Sequence, residues 1–181
     1  MRTTTKSIWA PRELNISGIR RLKLISAYDV DIQQTEFSGN ITPNRDIEIF
    51  EFVFPADLTC QASWSLQGKD TGSNYWSVQI SFELPHENLQ IMSWVQDTMH
   101  QEWIAILELN NGPTRLMGGL PSGLKMNIGA TTGSTRRSSN ATSINLQAEQ
   151  LIPYLELVGY ENEQLFPEAG FTHGFSYAFE S

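Results

Sequence analysis

Cysteine is almost absent. Cys60 stands alone, so no intramolecular disulfide forms and no metal site can be built on cysteine pairs. Its neighbours Leu58, Ala62 and Trp64 place it on a strand, and no histidine motif accompanies it, so it reads as an inert thiol. Histidine is scarce too: His86, His100 and His173 lie far apart and share no ligand spacing. Charged residues make up only 18% of the chain, and Ser, Thr, Asn and Gln fill the polar remainder. That balance suits exposed sheet faces rather than charged surface helices. No apolar run approaches the ~20 residues of a membrane span. Met1–Lys6 is Thr-rich with no apolar core behind it, which predicts no secretory leader. The glycosylation sequons at Asn15, Asn40 and Asn140 are therefore expected to be chance matches.

Positive charge is the other shortage. Twelve Lys and Arg against 20 Asp and Glu give a formal net charge of −8. Phosphate binding needs a basic surface, so general nucleic-acid binding is not expected. The doublet Arg136-Arg137 is too small to reverse that field.

Catalytic constellations are missing as well. Asp29 and Asp31 are predicted to share a strand face, which reads as a solvated face rather than an acid–base pair. Gly118–Gly123 is Gly-rich but lacks the Gly-Lys-Ser/Thr ending of a phosphate loop, and no helix follows. Ser122 lacks the Gly-x-Ser-x-Gly frame of a nucleophile elbow. The sequence predicts no enzyme, no cofactor and no metal.

What is present is alternation. A chain of 181 residues with 40% hydrophobic content supports one β-rich domain over residues 1–181. Residues 1–18 read as an extended arm. Its Ile8 and Trp9 either fold back on the core or dock on a neighbouring subunit. Half-buried strands are predicted at Leu22–Ile32, Ile47–Phe54, Leu58–Leu66 and Tyr75–Leu84, with a loop over residues 35–46. The last two strands flank a polar Gly-rich turn and form a hairpin.

The period then changes. Leu89, Met92, Val95 and Met99 fall on one helical face, and Pro85 suits a first turn. One packed helix is expected at about residues 85–101. Trp103–Leu109 returns to strand, Asn110–Pro113 to turn, and Thr114–Met117 to partner strand. Strands follow at Leu124–Ile128, Ile144–Ala148 and Tyr154–Val158, with a long flexible loop at residues 129–140. The aromatic tail ends in alternating Phe175, Tyr177 and Phe179, suggesting a short last strand. Mainly β, in a sandwich or barrel with one packed helix, is the expected fold class. Trp64, Trp76 and Trp103 are expected in the core, with Trp9 and Trp94 freer.

The stretches WIAILELNNGPTRLMGG, LKMNIGATTGS and SINLQAEQLIPYLEL, in their order behind one helix, resemble structural proteins of tailed bacteriophages. Tail tube and head–tail neck proteins are the nearest in kind. The resemblance covers Leu84–Leu157, and neither the arm nor the tail has a counterpart in it. It implies homo-oligomeric, often hexameric, rings in a virion, made in the bacterial host cytoplasm. The rings would stack into a conduit for DNA without sequence-specific binding or membrane contact. A tail terminator or head–tail adaptor ring is the neighbouring reading. A carbohydrate-binding β-sandwich stacking sugars on tryptophan is the reading of another class. The expected inter-subunit contacts are Ile8 and Trp9 in the arm, and Thr132, Ser134, Arg136 and Arg137 in the loop.

Overall fold

A computed structural model describes residues 18–43, 48–54, 60–68, 72–85, 89–119, 122–131, 141–157 and 174–175. The strands are β1 (Ile19–Ser26), β2 (Val30–Thr35), β3 (Ser38–Pro43), β4 (Ile49–Val53), β5 (Cys60–Gly68) and β6 (Asn74–Pro85). Helix α1 (Leu89–Thr98) follows. Then come β7 (Glu102–Leu109), β8 (Arg115–Met117), β9 (Leu124–Thr131), β10 (Ala141–Gln150), β11 (Leu155–Leu157) and β12 (Gly174–Phe175). Mainly β with one helix is the fold expected and, among the described residues, the fold formed.

All the strands belong to one open, mixed sheet that branches at β7. One edge of β7 pairs antiparallel with β1, from Ile19↔Leu109 to Ser26↔Trp103. The other edge is shared: Ala105–Leu107 pair with β8, and Glu102–Trp103 with β9. From β8 the sheet runs through β11 and β3 to β2, and from β9 through β10 and β6 to β5. Beyond β1 lie β4 and then β12. The pairs β11–β3 and β12–β4 are parallel.

Each branch covers a different face of the central strands, because successive strand residues point to opposite faces. Trp103, Ala105 and Leu107 enter one core with Leu22, Leu24, Phe50, Phe52, Val78, Ile80, Phe82 and Leu146. Ile104 and Ile106 enter a second core with Ile25, Ile41, Ile49, Leu116 and Leu155. Five consecutive residues of β7, Trp103–Leu107, are therefore buried. Helix α1 closes the first core through Trp94, whose ring lies 5.4 Å from Phe50, 5.7 Å from Phe52 and 5.9 Å from Trp103.

The branch point is the Gly-rich break. Strands β8 and β9 lie along the same edge of β7, separated by the excursion at residues 118–123. Gly119 N donates to Ser122 O at 2.9 Å and closes the excursion. Gly118 has φ +98°, and a Cβ there would stand 2.5 Å from Trp103 O. A Cβ on Gly123 would stand 2.5 Å from Glu102 Cβ. Glycine is required for the chain to leave and rejoin β7 so closely. The Gln150 side chain, in the amide orientation that satisfies both ends, accepts from Gly118 N at 2.7 Å and donates to Ile152 O at 3.2 Å.

Several expectations need correction. The strand predicted over Leu22–Ile32 is broken by a turn at residues 27–29, where Asp29 N donates to Ser26 O at 3.1 Å. Asp29 and Asp31 thus do not share a strand face. The predicted 35–46 loop is largely strand β3, paired with β2 from Val30↔Pro43 to Thr35↔Ser38. Turn residues there hid a strand whose Ile41 is a core side chain, and Gly39 lets Leu155 pack against its backbone. Pro85 ends β6 opposite Ala141 rather than opening the helix, and α1 stops at Thr98. Met99 is 53% exposed, and the buried anchor of the helix is Trp94, not a freer residue. Residues 129–131 continue β9 rather than opening the loop.

Gly118→Ala is expected to lower unfolding free energy by about 3 kcal/mol, from strain and from collision with β7 backbone. Gly72, at φ +81° in the β5–β6 turn, faces open space. Gly72→Asn should cost about 1 kcal/mol or less. Urea denaturation of both variants checks the contrast.

Candidate functional surface

Residues 8, 9, 132, 134, 136 and 137, the contacts expected from sequence, all lie outside the described residues, as does most of the aromatic tail. What the structure does place is the support of that loop. Strands β9 and β10 pair residue by residue from Lys125↔Gln147 to Thr131↔Ala141. Residues 132–140 therefore join the two paired ends of a regular hairpin.

The outward face of the β9–β10–β6–β5 branch is polar and nearly uncharged. Rows of side chains cross all four strands: Asn127, Asn145, Ser81 and Gln61, then Lys125, Gln147, Gln79 and Ser63. Their partners on the same strands, Val78, Ile80, Phe82, Ile144 and Leu146, point into the first core. Alternation alone produces this division. A half-open groove of about 450 Å³ lies on this face, lined by Ser77, Ser122, Lys125, Gln147 and Glu149 with Gly123 and Ala148. Gly123 N behind it donates to Glu102 Oε2 at 3.0 Å. Hydroxyls, one amide and one charge of each sign suit polar groups of a partner better than an apolar ligand.

The four described tryptophans do not form a platform on this face. Trp94 and Trp103 are buried, and Trp64 and Trp76 are half-buried against the first core. Trp64 packs edge-on to Tyr154 at 5.1 Å, and the Arg115 guanidinium lies 4.4 Å from the Tyr154 ring centre and 5.2 Å from Trp64. These two rings hold one another and a cation.

Cys60 is buried, and burial pushes its thiol from 9.0 up to about 12, because the thiolate would lose its hydration. His100 is exposed in the turn after α1. Among the described residues, no three His, Cys, Asp or Glu side chains could hold a metal ion.

The densest charge is in the central strands, on the face that carries the second core. Lys23 on β1 is only 1% exposed, yet its Nζ reaches Glu108 Oε1 at 3.2 Å and Glu51 Oε1 at 3.9 Å. Arg21 reaches the same two carboxylates, Glu51 at 3.4 Å and Glu108 at 3.8 Å. Strand register produces the set: Lys23 stands opposite Glu51, and Arg21 opposite Glu108. Two charges of each sign cancel, which is the condition for burying an ammonium. No sequence period announces this network, since its members come from three strands.

No protein-family model, no curated protein and no solved structure matches the chain.

Glu108→Ala should cost about 3 kcal/mol of stability, because it removes the carboxylate 3.2 Å from the buried Lys23 ammonium. Lys23→Met should cost less, since Glu51 and Glu108 reach solvent and keep Arg21. Chemical denaturation of the two variants orders them. For Cys60 the pH sign follows from the raised value. The native thiol keeps its proton where the unfolded one loses it, so stability falls as pH rises from 9 towards about 12. Cys60→Ala should remove that part of the slope, measured as the difference in unfolding free energy between wild type and variant.

Proposed function

We propose that this chain is a virion structural protein, a tail tube subunit of a tailed bacteriophage that assembles with itself into stacked rings around a DNA conduit. A tail terminator or head–tail adaptor ring is the neighbouring reading within the same class. The observation that carries it is the β9–β10 hairpin, which holds the ends of residues 132–140 in register at the rim of a polar sheet. A segment so placed can reach a neighbouring subunit while its base stays rigid.

Two further features support the reading. The outward face of this branch is built from Ser, Asn and Gln, which can satisfy a partner's polar groups without the cost of burying charge. The net charge of −8 suits a conduit wall from which DNA is repelled, so that it slides rather than sticks. The inward tryptophans weigh against the carbohydrate-binding reading.

Electron microscopy of the purified chain should show rings or stacks of rings, and a strictly monomeric protein at high concentration would refute the reading. Replacing residues 132–140 by an Asn-Gly turn, the natural closure for paired strand ends, should leave thermal unfolding intact and abolish stacking. Stacks that persist in that variant would remove the loop from the interface.

A further inference from the structure

We infer that β5 is a docking edge for a second copy of this chain, which adds its own β5 antiparallel about a two-fold axis at Trp64. The inference needs only two copies and does not rest on the ring reading.

Strand β5 ends its branch of the sheet. It pairs with β6 in unbroken register from Cys60↔Phe82 to Gly68↔Asn74, and among the described residues no strand pairs with its other edge. Nine residues make an edge roughly 30 Å long. Gln61, Ser63, Ser65, Leu66 and Gln67 are exposed. Folded proteins protect such edges with charge, proline, bulges or brevity. The stretch Cys-Gln-Ala-Ser-Trp-Ser-Leu-Gln-Gly has no charged residue, no proline and no bulge. The opposite end of the sheet, β2, is shorter and carries Asp31. In a chain of net charge −8, β5 is a strand that two copies can bring together with least repulsion.

The sequence of β5 also says which strand fits. It reads nearly the same in both directions about Trp64: Ser63 and Ser65, Ala62 and Leu66, Gln61 and Gln67. An antiparallel copy in that register sets Ser63 opposite Ser65 of the partner subunit, and Gln61 opposite Gln67 of the partner subunit. On the inward face, Leu66, 55% exposed, comes to lie opposite Ala62 of the partner subunit. Hydroxyl, amide and apolar rows each continue across the junction, and β5 itself brings no charge to it. Such self-complementarity is what a two-fold interface requires. The main-chain bonds supply affinity in the manner of strand addition.

Opposed serines give the test. Ser63→Lys/Ser65→Lys and Ser63→Glu/Ser65→Glu change exposed side chains on the polar face, and circular dichroism and thermal unfolding confirm that each variant folds. Sedimentation should show wild type as a dimer or larger even assembly. Each variant alone should associate about tenfold or more weakly, since like charges now face each other twice. A one-to-one mixture should recover the dimer as a heterodimer in native mass spectrometry. Alternate amides of Gln61–Gln67 should exchange slowly at high protein concentration and fast at low concentration.

Association of both variants as strong as that of wild type, at whatever size, overturns the β5 interface and leaves the ring reading standing. A wild-type monomer at about 100 μM, or slow exchange of these amides at high dilution, also overturns it. Dimers without rings uphold it and refute the ring reading.

Discussion

Strand β7 is buried on both faces, and the branched sheet is the consequence. Five successive residues from Trp103 to Leu107 exclude water, although a strand exposes only two faces. Each face needs its own cover, and each cover must be apolar where it touches β7. The chain meets both demands with one sheet. It pairs β8 and β9 to different lengths of the same β7 edge and sends them to opposite sides. The glycines at 118 and 123 make this possible, because a Cβ on either would stand 2.5 Å from an atom of β7. Among the described residues the sheet then ends at β2, β5 and the two-residue β12, and the two long ends, β2 and β5, are chemically unlike.

The two cores differ in how they stop. The first is large and aromatic, and its rings from α1, β4, β6 and β7 contact one another at 5.1 to 5.9 Å. The second is aliphatic and smaller. On the same face of the central strands it gives way to Arg21, Lys23, Glu51 and Glu108. An apolar row along β1 would require the second cover to extend as far. The four charges finish that face without one, at the cost of desolvating an ammonium that two carboxylates then compensate. Such a network also punishes a register slip, because a shift of one residue would drive Lys23 into the first core.

Charge is kept off the outward face of the β9–β10–β6–β5 branch except at a few positions such as Lys125, Glu83 and Glu149. Ser, Asn and Gln there satisfy water in a lone chain and a partner in an assembly equally well. Self-association of an acidic protein is easiest where its surface is neutral. That single physical condition underlies both proposals, the polar face as a ring contact and the β5 edge as a two-fold junction.

Local signals in the sequence were enough to determine the mainly β class, the β5–β6 hairpin, the Asn110–Pro113 turn and the inward sets of β6, β9 and β10, since these depend on neighbours one to four residues away. The burial of Cys60 was legible for the same reason. Local signals misled where they competed with packing. Gly39, Asn40 and Pro43 read as loop, yet β3 forms because Ile41 and the close approach of Leu155 hold it to the second core. Pro85 and the Met99 spacing lengthened the helix, yet β10 takes Pro85 into the sheet and Trp94 anchors α1. Only tertiary structure decided that β7 serves two cores and that the Gly118–Gly123 break is a branch point. It also decided that Arg21, Lys23, Glu51 and Glu108 meet, and that β5 ends its branch among the described residues. Each of these depends on strands that pair across long stretches of chain, and no local pattern encodes which strand lies beside which.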